Sequence, residues 1–107
     1  MKTHMIIRSW RGWANPAQNE AYPAHFRRAV LPELRATDGF LGATLMRQDR
    51  AGQIEFVVMT RWASLEAIRA FAGDALERAV VEPGAVAALE RFDETVQHYE
   101  VVEAVER

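Results

Sequence analysis

The chain has 107 residues, of which 50% are hydrophobic and 26% charged, and its formal net charge is −2. This size and composition are typical of a single globular domain over residues 1–107, expected in the cytoplasm. A slightly acidic chain offers no basic face to neutralise phosphates, which excludes nucleic acid as the main partner. No apolar run is long enough to span a membrane, the first residues do not resemble a secretion signal, and the absence of cysteine excludes disulfides and thiolate metal sites.

Residues 4–13 are predicted to form the first strand, beginning at His4. Side chains alternate across a strand, so one face should carry Met5, Ile7 and Ser9, and the other Ile6, Arg8 and Trp10. Gly12 is expected to end or bend this strand.

The next segment predicts a long helix from Asn15-Pro16 to about residue 36, with Asn15 as its cap. Two prolines inside this span each remove a backbone donor. We therefore expect a kink or a late start near Pro23 and a weakened last turn around Pro32. The apolar stripe of the helix steps by four residues through Tyr22, Phe26, Val30 and Leu34. His25, beside this stripe, could roof a pocket together with Tyr22 and Phe26, but it is expected to be solvated or half-buried.

Two strands and a hairpin are predicted next, after a turn at residues 37–39. The strands cover residues 40–48 and 54–62, and the connecting turn covers residues 49–52. The expected register places Gln48 opposite Gln53, Leu45 opposite Phe56, Ala43 opposite Val58 and Leu41 opposite Thr60. Trp62 then lies on the face of Phe56 and Val58, whereas a slip by one residue would reverse the facing of every side chain.

The remainder of the chain predicts helices and a last strand. Ser64 should cap a helix that ends at Gly73, with Leu65, Ile68, Phe71 and Ala72 buried at helical spacing. Asp74 should cap a short helix to about residue 81, which Pro83-Gly84 breaks before one or two further turns in residues 85–92. Residues 95–104 should form the last strand, with His98 on the face shared by Val96, Glu100 and Val102.

The order β-α-β-β-α-β predicts an α+β, ferredoxin-like fold with an antiparallel four-stranded sheet. The helices cover one face of that sheet. The other face still carries Val57, Met59 and neighbours such as Ile7, and an apolar area of that kind requires a partner. A two-fold homodimer that packs sheet against sheet is the predicted assembly.

Four stretches together resemble the antibiotic biosynthesis monooxygenase (ABM) superfamily of dimeric α+β barrel proteins. They are GFLGA at 39–43, VVMTRWASLEAIRAFAG at 57–73, ERAVV at 77–81 and HYEV at 98–101. The resemblance extends from about residue 6 to residue 102 and implies a central barrel made by two sheets, with one pocket per protomer between sheet and helices. Some family members oxygenate aromatic, polyketide-like quinols without metal or flavin, others degrade haem, and many have no assigned activity.

The chain departs from both known chemistries of the family. Trp62 matches the family tryptophan at the end of the third strand. Quinone-forming members also have an asparagine four residues before it and a tyrosine six residues after it, where this chain has Val58 and Ile68. Haem-degrading members rely on a helical histidine for which residues 79–81 have no equivalent.

Two residues are the main candidates for chemistry. Trp62 could wall a pocket and stack on an aromatic ligand, or it could simply pack the strand onto the following helix. His98 could accept a phenolic proton as a general base, or it could be a structural histidine or a dimer contact.

The remaining candidates would bind substrate. Arg8 could hold a phenolate or carboxylate, or form an ion pair with Glu55 or Glu100. Four aromatic residues could surround the ligand: Trp10 on the first strand, Tyr22 and Phe26 on the first helix, and Phe71 on the second. Tyr22 and Phe26, at helical spacing, could equally be plain core.

These features predict a cofactor-independent monooxygenase that acts on a small phenol or quinol. No cofactor and no metal site are expected, since the histidines and acids lack ligand spacing and no phosphate-binding loop is present. The alternative is a non-catalytic, small-molecule-binding or stress-related dimer, which the aliphatic residues at positions 58 and 68 favour. Haem degradation is the third possibility.

Overall fold

The computed structural model describes residues 5–107, so the predicted start of the first strand at His4 lies outside the described residues. The sheet is antiparallel and has the order β2-β3-β1, with β4 and β5 both paired to the free edge of β1. Its strands are β1 (Ile6–Ala14), β2 (Phe40–Arg50), β3 (Gln53–Trp62), β4 (Arg91–Phe92) and β5 (Gln97–Glu100). With the helices, this arrangement confirms the predicted α+β, ferredoxin-like fold.

The β2–β3 hairpin has a different register from the predicted one. Leu45 lies opposite Val58 and Ala43 opposite Thr60, two residues away from the expected pairs, and Leu41 lies in a bulge. The reason is the turn, which contains two residues rather than four: Ala51 and Gly52, both with positive φ (54° and 79°), as a tight type I′ hairpin requires. A shift of two residues preserves the facing of the side chains, so Trp62 is on the predicted face.

The first strand runs through Gly12 and ends at Ala14 rather than stopping or bending at the glycine. A Cβ atom at Gly12 would lie 2.8 Å from Leu89 Cδ1, so the Leu89 side chain, which packs directly over the strand, would have to shift for a larger residue. The predicted facing of β1 is confirmed, since Ile6 and Arg8 are buried under the helices and Ile7 and Ser9 lie on the other face.

The first helix starts late, as the prolines predicted. Asn15 caps only a short 3-10 turn, Pro16–Gln18, and the helix proper follows as three consecutive segments: Ala21–His25, a wider π-helical stretch Phe26–Val30, and Leu31–Arg35. Pro32 cannot donate to the carbonyl of residue 28, and the π-helical stretch ends just before it. The first helix therefore has a widened middle segment, Phe26–Val30, and not the weakened last turn that was expected.

The second helix, Leu65–Ala72, matches the prediction in its ends but not in its buried face. The Ser64 hydroxyl accepts a hydrogen bond from the Ala67 backbone nitrogen at 3.1 Å, and Gly73 ends the helix with φ 86°. Ile68 is fully buried, but Leu65 is 46% exposed and Ala67 is buried instead. The first turn therefore faces the core through Ala67 and not through Leu65.

No helix forms between Asp74 and residue 81, which corrects the sequence prediction. The backbone of this segment pairs with a distant part of the chain instead: Ala79 donates to the carbonyl of Glu94, and Val96 donates to that of Glu77. Pro83 begins a helix, Pro83–Ala88, rather than breaking one, because proline suits the first turn of a helix.

The last strand is shorter than the predicted residues 95–104 and is preceded by a separate short pair. β4 pairs with the edge of β1 near Gly12 and β5 pairs with it near Arg8, and residues 94–96 leave the edge between them. After Glu100 the chain has no regular structure.

Candidate functional site: an apolar cavity between sheet and helices

A cavity of about 60 Å³ lies between the inner face of the sheet and the helices. Most of its wall is apolar, and the wall reaches the surface at Val80, which is 45% exposed. The apolar lining consists of Trp10, Val30, Leu34, Val58, Phe71, Val80, Ala85 and Val96. Four further lining residues carry polar atoms: Arg8, Tyr22, His25 and Thr60. A mostly apolar wall with a few polar groups is the usual lining of a small-molecule site, but this cavity is smaller than the roughly 300–1,000 Å³ of such sites.

One wall of the cavity is a group of aromatic rings. The Tyr22 ring lies with its centroid 5.7 Å from that of Trp10 and 5.5 Å from that of Phe56, both in tilted arrangements. Trp10 Nε1 donates a hydrogen bond to the carbonyl of Asp93 at 2.7 Å, which orients the indole. Burial, with a smaller contribution from the charge of Glu82, raises the pKa of Tyr22, so its hydroxyl stays protonated at neutral pH.

Arg8 is buried on the sheet, with its guanidinium holding the segment that follows the second helix. Its Nη1 donates to the carbonyl of Leu76 at 2.7 Å, and its Nη2 donates to that of Arg78 at 2.9 Å. Burial lowers the pKa of Arg8 to about 10, so the group remains positive at neutral pH. These contacts explain why residues 74–82 do not form a helix, since the guanidinium takes two carbonyls that a helix would have used.

His98 faces Arg8 across the β1–β5 pair. The distance from Arg8 Nη1 to His98 Nε2 is 2.9 Å. Arginine can only donate, so Nε2 must be the accepting nitrogen and the proton of the neutral ring must be on Nδ1. Burial, and then the charge of Arg8, lower the pKa of His98, with Glu77 opposing the shift. His98 is therefore a neutral partner of Arg8 and does not line the cavity itself.

Trp62 is fully buried behind the cavity rather than in its wall. Its ring packs between Phe40 and Phe71, with centroid distances of 5.4 and 5.6 Å, and its Nε1 donates to the Thr60 hydroxyl at 2.7 Å. Both Thr60 and Phe71 do line the cavity. The indole thus supports two wall residues.

The residues predicted from sequence divide into two groups. Arg8, Trp10, Tyr22 and Phe71 line the cavity, and His98 reaches it only through Arg8. Trp62 and Phe26 are core residues that do not contribute to the wall.

His25 lines the cavity, which is one of the two positions that the sequence left open for it. It is only 4% exposed, which corrects the expectation that it is solvated or half-buried. It lies on the widened first helix, with its ring centroid 5.9 Å from that of Tyr22. Its position, one turn after Tyr22 and beside the apolar stripe, was consistent with a place in the wall. A single histidine beside such a stripe does not reveal whether its side chain faces the sheet or the solvent.

The fold and this cavity together define a split β-α-β protein with an internal apolar site. The sequence matches the family model of antibiotic biosynthesis monooxygenases over residues 5–83. This match spans well over half of the chain, and the chain belongs to that family, as its motifs predicted. Among curated proteins, none matches the sequence.

Solved structures of similar fold cover nearly the whole chain. SnoaB, a cofactor-independent oxygenase from Streptomyces nogalater, is 17% identical, with 98% of this chain and 97% of SnoaB covered and a TM-score of 0.56. The ActVA-Orf6 monooxygenase from Streptomyces coelicolor, in complex with nanaomycin D, is 16% identical, with 98% and 90% covered and a TM-score of 0.53. A dimeric ferredoxin-like protein from an uncultured marine organism is 16% identical, with 97% and 100% covered and a TM-score of 0.65. At these identities the likeness establishes the fold.

Residues 5–107 contain no cluster suited to a metal ion and no helix suited to crossing a membrane. No three histidine, aspartate or glutamate side chains in this range lie close enough together to hold a metal ion. None of the helices in the same range has the length and apolar character that crossing a membrane requires.

Proposed function

We propose that the protein binds a small phenol or quinol in the cavity and oxygenates it with dioxygen, without metal or flavin. The observation that carries this proposal is the enclosed aromatic wall of Trp10, Tyr22 and Phe71, which faces a buried positive charge at Arg8 in a fold of this family. A flat ring would pack against the aromatic wall, and its oxygen would be directed to the polar side.

The chemistry needs a phenolate, because the anion gives up an electron to dioxygen far more readily than the neutral phenol. The guanidinium of Arg8 would stabilise that anion within a wall of low polarity. The overall reaction would convert a phenol and dioxygen into a quinone and water. One oxygen atom forms the new carbonyl, and the other leaves as water with two hydrogens, one from the ring carbon that is oxygenated and one from the phenol hydroxyl.

The role of His98 as the general base remains a prediction. For this role Nε2 would have to release the guanidinium, since Arg8 Nη1 already occupies it. A His98→Gln variant keeps a hydrogen-bond acceptor for Arg8 but cannot take a proton at neutral pH. Oxygen uptake unchanged in that variant would exclude His98 as the base.

The test of function is oxygen uptake with anthrone-type and hydroquinone-type substrates. We expect uptake above the buffer rate for the wild type and none for Val58→Phe, in which a ring enters the cavity wall. The matched control is Glu66→Gln on the solvent side of the second helix, where the side chain is 79% exposed. If an aromatic ring binds but no oxygen is consumed, the protein is the non-catalytic binding protein that the sequence left as the alternative.

We also propose a homodimer that covers the outer face of the sheet. This face carries half-buried Ile7, Val57 and Met59 in its centre, and Met46 and Tyr99 beside them are 39% and 56% exposed. Burying that apolar area between two copies removes it from water. Sedimentation should show a dimer for the wild type and a monomer for Met59→Glu, and a wild-type monomer at micromolar concentration would contradict the proposal.

A further inference from the structure

We propose that His25 is the general base of the cavity and that Glu82 and Glu33 pass the proton from it to solvent. This inference rests on the proposed function, since it names the residue that would deprotonate a bound phenol.

The first argument is elimination among the polar groups of the wall. Arg8 is positive and can only donate, and Tyr22 keeps its proton because it is buried. The Thr60 hydroxyl already accepts from Trp62. Among the lining residues, His25 alone has a side chain that accepts a proton near neutral pH.

The second argument is an unused buried atom. Nε2 of His25 has no hydrogen-bond partner within residues 5–107, and neither does Oε1 of Glu82, 3.5 Å away. Buried polar atoms are nearly always paired, because leaving one without a partner costs about 1–3 kcal/mol. The unpartnered Nε2 lies beside the Glu82 carboxylate, so a proton on this nitrogen can pass to Glu82.

The His25 ring is held in place from two sides. Tyr22 packs against it, and the backbone of Gly84 approaches it so closely that a Cβ atom there would lie 2.5 Å from Nδ1. Gly84 lies in the first turn of the Pro83–Ala88 helix. Glu82, immediately before that helix, is thereby placed beside the imidazole.

The charged groups around the imidazole favour transfer of the proton from His25 to Glu82 over its retention on His25. Burial, and then the positive charge of Arg28, lower the pKa of His25, while Glu33 opposes them. Burial, and then a hydrogen bond and charge repulsion with Glu33, raise the pKa of Glu82. These opposite shifts bring the two groups closer in proton affinity, which is the condition for a proton to pass between them.

The proposed transfer has two steps and involves no oxidation. The O–H bond of the phenol breaks as an N–H bond forms at Nδ1, the imidazole nitrogen turned away from Glu82, giving a phenolate and an imidazolium. The imidazolium then gives a proton to the Glu82 carboxylate, whose side chain is 29% exposed, and Glu33 at the surface passes it to water. His25 returns to its neutral form, and the phenolate stays beside Arg8.

The test uses 4-nitrophenol as the probe, because its phenol and phenolate forms have separate absorption bands. At a slightly acidic pH, where the free probe is protonated, we expect the wild type to bind it as the phenolate. His25→Gln should bind the phenolate at least about tenfold more weakly, the loss expected for one charge-assisted hydrogen bond. Glu66→Gln serves as the matched surface control. Phenolate binding that survives in His25→Gln but is lost in His98→Gln would overturn the proposal in favour of His98.

A second measurement does not depend on any ligand. Nitrogen-15 NMR of the histidine rings should show His25 neutral at a pH where a free imidazole is half protonated. In Glu82→Gln the pKa of His25 should fall further, since the nearest carboxylate is removed. An unchanged His25 titration in that variant would refute the relay. If no variant and no wild-type protein binds the probe, the proposed function fails, while the titration still decides whether His25 and Glu82 are coupled.

Discussion

Two neighbouring regions on the inner face of the sheet differ in how completely they are packed. In the Trp62 corner, formed by Phe40, Trp62 and Phe71, three rings fill the space and the indole nitrogen has a partner. In the cavity next to it, the space is open and the Nε2 atom of His25 has no partner within residues 5–107. The two regions share Thr60 and Phe71, so one supports the wall of the other.

The comparison shows that a prominent aromatic residue is weak evidence for a site. A filled and hydrogen-bonded corner stabilises the fold, because its rings are removed from water and its polar atom is satisfied. Space and unsatisfied polar atoms are what a ligand can use. On that basis the functional region is the His25 side of the cavity, and the Trp62 corner is its support.

The largest expected effect is on stability, from Trp62→Ala. Removing a fully buried indole should cost about 3–5 kcal/mol in the free energy of unfolding, measured by urea denaturation. Trp13→Ala is the control, because Trp13 is on the other face of the sheet and its ring is covered by the guanidinium of Arg91 at 3.8 Å. A loss for Trp62→Ala smaller than for the control would show that the corner is not the better packed region.

A smaller effect is expected where the two regions meet, at Thr60. Thr60→Val leaves the buried Nε1 of Trp62 without its acceptor and should cost about 1–3 kcal/mol, whereas Thr60→Ser keeps the hydroxyl and should cost less. Urea midpoints for the three proteins measure this. Equal stability of the valine and serine variants would mean that the hydrogen bond does not hold the corner.

The dependence of stability on pH should separate the two sides of the cavity. Burial lowers the folded-state pKa of His25 and of His98, so below about pH 6.5 the unfolded chain binds protons more readily and stability falls as the pH falls. Glu82 acts in the opposite direction, because its raised folded-state pKa makes its contribution fall as the pH rises.

Melting temperatures between about pH 7 and pH 5 measure the balance of these groups. His25→Gln should flatten the acid loss of stability, and Glu82→Gln should steepen it. The expectation fails if His25→Gln retains the full wild-type slope.

The smallest effect on stability is expected from filling the cavity. Val58→Phe adds a ring to the wall and should change the free energy of unfolding by less than about 1 kcal/mol, because filled space offsets strain. Binding of 4-nitrophenol should nevertheless be abolished, which fluorescence quenching of Trp10 and its neighbours would detect. Unimpaired binding would place the ligand elsewhere.

The parts of the fold that could be predicted are those set by local periodicity. Alternation along Ile6–Ala14 and Gln53–Trp62 showed which side chains face the helices, and Ser64 and Gly73 marked the ends of a helix. The hairpin register was wrong by two residues, because a tight turn at Ala51 and Gly52 cannot be told from a four-residue turn by composition alone.

The parts that could not be predicted depend on long-range contacts. Residues 74–82 have the composition of a helix, but Arg8 and the backbone of residues 94–96 take their hydrogen bonds. The full burial of His25 was not predicted, because it depends on the Pro83–Ala88 helix, which packs Gly84 against the ring. Neither contact leaves a pattern in the nearby sequence.

By itself, the sequence determined the order of strands and helices, the inner and outer faces of the sheet and the family, because each follows from short-range periodicity and local motifs. The tertiary structure alone decided which polar atoms meet, and it brought Arg8 to His98 and His25 to Glu82. The physical reason is that burial and pairing of charged groups depend on residues distant in the chain, whereas the alternation of a strand depends only on its neighbours.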